Sequence, residues 1–74
     1  MKEQIIAIMK RVFKVDSLPE NPTQQNVESW DSLHHLNLII ELEMDFDVEF
    51  TPEEIAAMKT LEIIEQKIAE KTES

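Results

Sequence analysis

The chain has 74 residues, enough for one domain spanning 1–74 and a single modest core. It contains no cysteine, which excludes disulfides and thiolate–metal frameworks, and 42% hydrophobic with 31% charged residues describes a chain that folds. Sixteen acids against seven Lys and Arg leave a net charge of −9, a field that repels phosphate backbones and disfavours nucleic acid as a partner.

The first predicted element is an amphipathic helix over 2–14. Ile5, Ile6, Ile8, Met9, Val12 and Phe13 gather on one side at about 100° per residue, with Lys10, Arg11 and Lys14 opposite. Its apolar run from Ile5 to Met9 is cut by Lys10 and Arg11, too short for a secretory segment or a membrane span. The expectation is a cytoplasmic protein with no membrane partner.

Residues 15–31 show no period and contain Pro19, Pro22, Asn21 and Asn26, so they read as a long loop, a kind usually functional or disordered. Leu18, Val27 and Trp30 are the residues able to pin it to a core. A second helix follows over 32–46, and it carries two apolar stripes. Leu38, Ile39, Leu42 and Phe46 form one; Leu33, Leu36, Ile40 and Met44 form another, roughly opposite. One stripe suffices for a core, so the second either packs on another helix or awaits a partner.

Thr51-Pro52-Glu53-Glu54 predicts a helix start, with Thr as N-cap, Pro at N1 and Glu at N3 closing a capping box. That helix, with Ile55, Ala56, Ala57 and Met58, is short. Thr60 is the expected cap of a last helix striped by Leu61, Ile64 and Ile68 and widened by Ile63. The predicted fold is all-α, a small four-helix bundle of three longer helices and one short, with the long loop between the first two. With no glycine in the chain, the helix ends are expected to rely on side-chain caps and proline.

The charge is segregated along these elements. From Val15 to Met58 there is no Lys or Arg, while eleven acids occur: Asp16, Glu20, Glu28, Asp31, Glu41, Glu43, Asp45, Asp47, Glu49, Glu53 and Glu54. Plain solubility explains the sign better than the segregation. Basic protein surfaces are the partners that such a field attracts.

No constellation supports catalysis. There is no cysteine nucleophile, no glycine-rich phosphate loop, and no pairing of a serine with a base held by a third group. His34 and His35 are neighbours in sequence and diverge on a helix, so no metal is expected there; His34 reads as solvated and His35 as a core-edge residue. Asp45, Asp47 and Glu49 imitate the start of a calcium loop, but Phe50 stands where glycine is needed and Ala56 where a bidentate glutamate is needed.

One position remains. In Trp30-Asp31-Ser32-Leu33 a hydroxyl sits where the loop enters the second helix, and unpaired backbone N–H groups and the helix dipole there suit a phosphodiester. Asp and Ser are also favoured N-caps on any helix, which is the commoner role.

Asp31-Ser32-Leu33, the helix Leu36-Asn37-Leu38-Ile39-Ile40-Glu41-Leu42-Glu43 ending in Asp45-Phe46-Asp47, and then Thr51-Pro52-Glu53-Glu54 resemble an acyl carrier protein. The resemblance covers essentially the whole chain. It implies that a phosphopantetheinyl transferase moves 4'-phosphopantetheine from coenzyme A to Ser32, and that the arm's thiol holds an acyl group as a thioester. By the same resemblance Asp31 assists the transferase through its Mg²⁺, and Leu33, Leu36 and Ile40 contact client enzymes. Three of the second stripe's four residues thereby gain a purpose. Glu43 matches an acidic contact of the family, and Asn37 stands on the partner-binding face where a fatty-acid carrier usually offers another acid. Trp30 replaces a small residue common in fatty-acid carriers.

What the resemblance implies is a monomeric carrier, not an enzyme, serving acyl-activating, ketosynthase or acyltransferase enzymes with basic patches in fatty-acid, polyketide-like or other specialised pathways. Trp30 and Asn37 point away from housekeeping fatty-acid synthesis. An aminoacyl or peptidyl carrier shares Ser32 and differs in cargo. A non-covalent acidic helical adaptor, with Ser32 as a mere cap, is the alternative from another class. If Trp30 flanks the serine, its fluorescence reports arm attachment.

Overall fold

Four helices form where apolar periodicity and local caps coincide. They are α1 (Lys2–Phe13), α2 (Ser32–Phe46), α3 (Pro52–Ala57) and α4 (Leu61–Thr72). The structure is a computed structural model and describes residues 1–72. Among these the only pairing of extended backbone is an isolated antiparallel bridge between Thr23 and Thr60, so the architecture is an all-α bundle.

Each helix buries the stripe that its spacing marks out. Ile5, Ile8, Met9 and Phe13 of α1, Leu38, Ile39 and Leu42 of α2, and Leu61, Ile64 and Ile68 of α4 meet in one core, with α1 packed on both α2 and α4. Val27, Trp30, Phe50 and Met58 close that core from the connecting segments. Leu18 packs against its edge. Removing these groups from water is the main stabilising term in a domain this small.

The long loop is fastened at two places. Leu61 N–H donates to the Pro22 carbonyl at 3.0 Å and Gln24 N–H to the Lys59 carbonyl at 3.0 Å, which ties the loop to the α3–α4 junction. Asn26 Oδ1 accepts from Thr23 N–H at 2.7 Å, and Thr23 Oγ1 accepts from Gln25 and Asn26 N–H. These local bonds hold the backbone of a segment with no helix or ladder to satisfy it.

The caps agree with the sequence at the starts of α3 and α4, and the α2 cap falls to Asp31 where the sequence leaves Asp31 and Ser32 open. Helix α1 starts at Met1 with no side-chain cap, and the ends of α1, α2 and α3 close on backbone bonds. Asp31 caps α2, Thr51 and Glu54 form a reciprocal capping box on α3, and Thr60 Oγ1 accepts from Ile63 N–H at 3.1 Å on α4. The C-termini of α1 and α2, however, do not rely on side-chain caps or proline. They close through left-handed residues that are not glycine, Lys14 (φ 58°) and Asp47 (φ 55°). The chain reverses there so that Val15 N–H reaches the Lys10 carbonyl and Val48 N–H the Glu43 carbonyl, both at 3.1 Å. Carbonyls that would be left unpaired are satisfied, at a steric cost that a Cβ imposes in this conformation.

Candidate functional site

The start of α2 separates two neighbouring side chains by role. Asp31 takes an extended backbone (φ −97°, ψ −175°) and its Oδ1 accepts from His34 N–H at 2.9 Å. Asp31 is therefore the cap, and Ser32 is the first helical residue. The Ser32 side chain is exposed, and among the described residues its hydroxyl has no hydrogen-bond partner. Capping is thus accounted for without the serine, and the hydroxyl stands at the positive end of a 15-residue helix.

His34 is not simply solvated, as its sequence context suggests. Its Nδ1 lies 2.8 Å from Asp31 Oδ1, and because a carboxylate only accepts, Nδ1 carries the proton. The ring also stands edge-on to Phe13, with centroids 6.5 Å apart at 70°. The His34 backbone N–H first, and its ring second, hold the Asp31 carboxyl below the usual aspartate value. The carboxylate beside Ser32 is charged and oriented, and the other carboxyl oxygen, Oδ2, takes no part in these bonds.

His35 lies at the core edge, as expected, and is buried. The Trp30 indole N–H donates to His35 Nδ1 at 2.9 Å, and His35 Nε2 lies 2.8 Å from the Ile55 carbonyl. An indole N–H only donates and a carbonyl only accepts, so His35 is the Nε2–H tautomer. Adjacent histidines therefore carry their protons on different nitrogens. Trp30 itself is 3% exposed and packs on Phe13 at 5.4 Å between centroids. Although two residues from Ser32 in sequence, its ring belongs to the core and does not flank the serine at the surface.

Among the described residues the second stripe of α2 packs on no other helix. Leu33 is 66% exposed, Leu36 53%, Ile40 52% and Met44 72%, and with exposed Asn37 they make one continuous face running from Ser32 along α2. A stripe of large apolar side chains left in water on a small domain is the kind of surface that marks an interaction site. Glu43 borders this face but is half-buried, and its Oε2 accepts from Phe50 N–H at 3.0 Å. Of the residues that the sequence assigns to the site, Ser32, Leu33, Leu36, Asn37 and Ile40 are brought together at the surface. Asp31 stands beside them, and Glu43 is partly withdrawn into a structural bond. Glu41, which sequence reasoning did not assign, is the other border, bonded to Arg11 Nη2 at 2.6 Å. No local pattern marks a partner thirty residues away.

No helix among the described residues is long and apolar enough to cross a membrane. Comparison with family models, with curated proteins and with solved structures finds no match to this chain.

Proposed function

We propose that the chain is a carrier protein, in which Ser32 accepts 4'-phosphopantetheine from coenzyme A through a phosphopantetheinyl transferase and the exposed α2 face docks on client enzymes. One observation carries the reading: Asp31 performs the capping, which leaves the Ser32 hydroxyl exposed and unengaged at a helix N-terminus. When attached, the group supplies a thiol on a flexible arm, able to hold an acyl group as a thioester. Ser32 is the tether, and the helix end offsets the charge of the phosphodiester. Asp31, fixed by His34, presents a charged carboxylate to the transferase and its Mg²⁺.

The face of Leu33, Leu36, Asn37 and Ile40 adjoins the tether, so a docked enzyme receives the arm close to its contact surface. In this reading the chain does no chemistry itself, and its clients are acyl-activating, ketosynthase or acyltransferase enzymes. An aminoacyl or peptidyl cargo would use the same serine and face. Incubation with coenzyme A and a broad-specificity transferase, followed by intact-mass measurement, tests the reading. Wild type gains one phosphopantetheinyl group and Ser32→Ala gains none.

A further inference from the structure

Both carboxylates that border the exposed face of α2 are already engaged within the chain. On the α1 side, Glu41 Oε1 lies 2.6 Å from Arg11 Nη2, with the side chains 36% and 58% exposed respectively. On the other side, Glu43 Oε2 accepts from Phe50 N–H. Between these borders Leu33, Leu36, Asn37, Ile40 and Met44 carry no charge. Arg11, Val12, Asn37, Ile40 and Glu41 line one shallow groove of about 280 Å³ between α1 and α2. The Arg11–Glu41 pair is therefore a wall of the docking face itself.

We propose that Arg11 sets the partner specificity of this face by neutralising Glu41 from within the chain, so that the face takes a protein surface apolar at its centre and without a Lys or Arg opposite Glu41. The inference rests on the carrier reading for the identity of those partners. A partner cation brought to Glu41 either displaces Arg11, exchanging one ion pair for another and leaving the guanidinium unpaired beside it, or meets a carboxylate already neutralised by Arg11 and gains no attraction. An apolar partner surface leaves the pair intact at the rim. Exposed Asp45 and Asp47 remain available to steer a basic patch. They stand about 20 Å along the helix from Ser32, at 1.5 Å per residue, so the far end of the helix carries steering charge, while beside the serine the charge of exposed Asp31 adjoins the apolar contacts Leu33 and Leu36.

The test is a charge cycle read by salt dependence. Loading by a transferase with a basic docking patch is measured across ionic strength for wild type, Arg11→Gln, Glu41→Gln, the double variant and Lys59→Gln. Lys59→Gln changes net charge as Arg11→Gln does, at an exposed lysine between α3 and α4. An exposed ion pair contributes little to stability, so the variants should fold, as melting confirms. Arg11→Gln should load about two- to five-fold faster at low salt and lose that gain as salt rises. Glu41→Gln should load more slowly, and the double variant should return to the wild-type slope. Arg11→Gln indistinguishable from Lys59→Gln overturns the proposal.

A second readout separates this result from the carrier reading. On addition of decalysine, the Glu41 amide signal should shift in Arg11→Gln and stay still in wild type and Lys59→Gln; equal shifts in all three would overturn the masking. Failure of wild type to gain phosphopantetheine overturns the carrier reading and leaves this second readout intact.

Discussion

The Trp30 indole N–H donates to His35 Nδ1 at 2.9 Å, and this bond ties the end of the long loop, one residue before Asp31, to the buried side of α2. The opposite ring nitrogen lies 2.8 Å from the Ile55 carbonyl in α3. One imidazole thus joins three elements; its bond to Trp30 is buried, and its bond to Ile55 is partly buried. Removing it strands a buried donor and opens a cavity. His35→Ala should cost about 2–3 kcal/mol, a drop of roughly 10 °C or more in melting temperature for a domain of this size. His35→Gln, which keeps a donor and an acceptor, should cost less. Nitrogen-15 shifts should place the ring proton of His35 on Nε2 and that of His34 on Nδ1, and a common tautomer would contradict the hydrogen bonding described.

Two carboxylates, exposed Asp31 and half-buried Glu54, should shape the acid limb of stability. Asp31 is held below its ordinary value chiefly by the His34 backbone N–H, and Glu54 chiefly by the Thr51 backbone N–H with help from Lys71, 3.0 Å away. A carboxyl lowered in the native state stabilises the fold in full above its unfolded value, about 3.9 for Asp and 4.3 for Glu. That contribution is lost as pH falls through the lowered native value. The difference in melting temperature between wild type and Asp31→Asn/Glu54→Gln should therefore shrink below about pH 4. A constant difference from neutral pH down to pH 2 would show that neither carboxyl is lowered.

Lys14 and Asp47 adopt left-handed backbone at the ends of α1 and α2, where a Cβ is a steric liability. Lys14→Gly and Asp47→Gly should each stabilise the protein by about 0.5–1 kcal/mol. Chemical denaturation measures this directly, and destabilisation by both substitutions would mean that these ends are not left-handed in solution.

The net charge of −9 makes the unmodified protein self-repelling, and the acids crowd the segment from Asp16 to Glu54. Added salt should raise the melting temperature as screening shortens the reach of these charges to about 10 Å at 0.1 M. A melting temperature that falls on moving from about 10 to about 200 mM sodium chloride would contradict it.

Element order and the helix starts were legible because their signals are local. Asp31 before Ser32 and the run Thr51-Pro52-Glu53-Glu54 mark starts within four residues, and the two stripes of α2 follow from spacing alone. That the second stripe stays exposed was left open by spacing, since only the placement of α1, α3 and α4 decides it. The helix ends are not legible in the same way, because a chain without glycine implies side-chain caps, whereas Lys14 and Asp47 accept the left-handed strain. The bonds of Arg11 with Glu41, Glu43 with Phe50 and Trp30 with His35 depend on how elements meet. Periodicity places each side chain on a face but does not name its partner. Ser32 was visible as a hydroxyl at a helix entry; that Asp31 and not Ser32 does the capping required the backbone geometry.

Intact-mass spectrometry after incubation with coenzyme A and a broad-specificity phosphopantetheinyl transferase bears most directly on Ser32 as a covalent tether. Wild type should gain the mass of a single phosphopantetheinyl group, mapped by fragmentation to Ser32, and Ser32→Ala should gain none. An unchanged wild-type mass, with a control carrier fully modified in the same tube, would contradict the assignment.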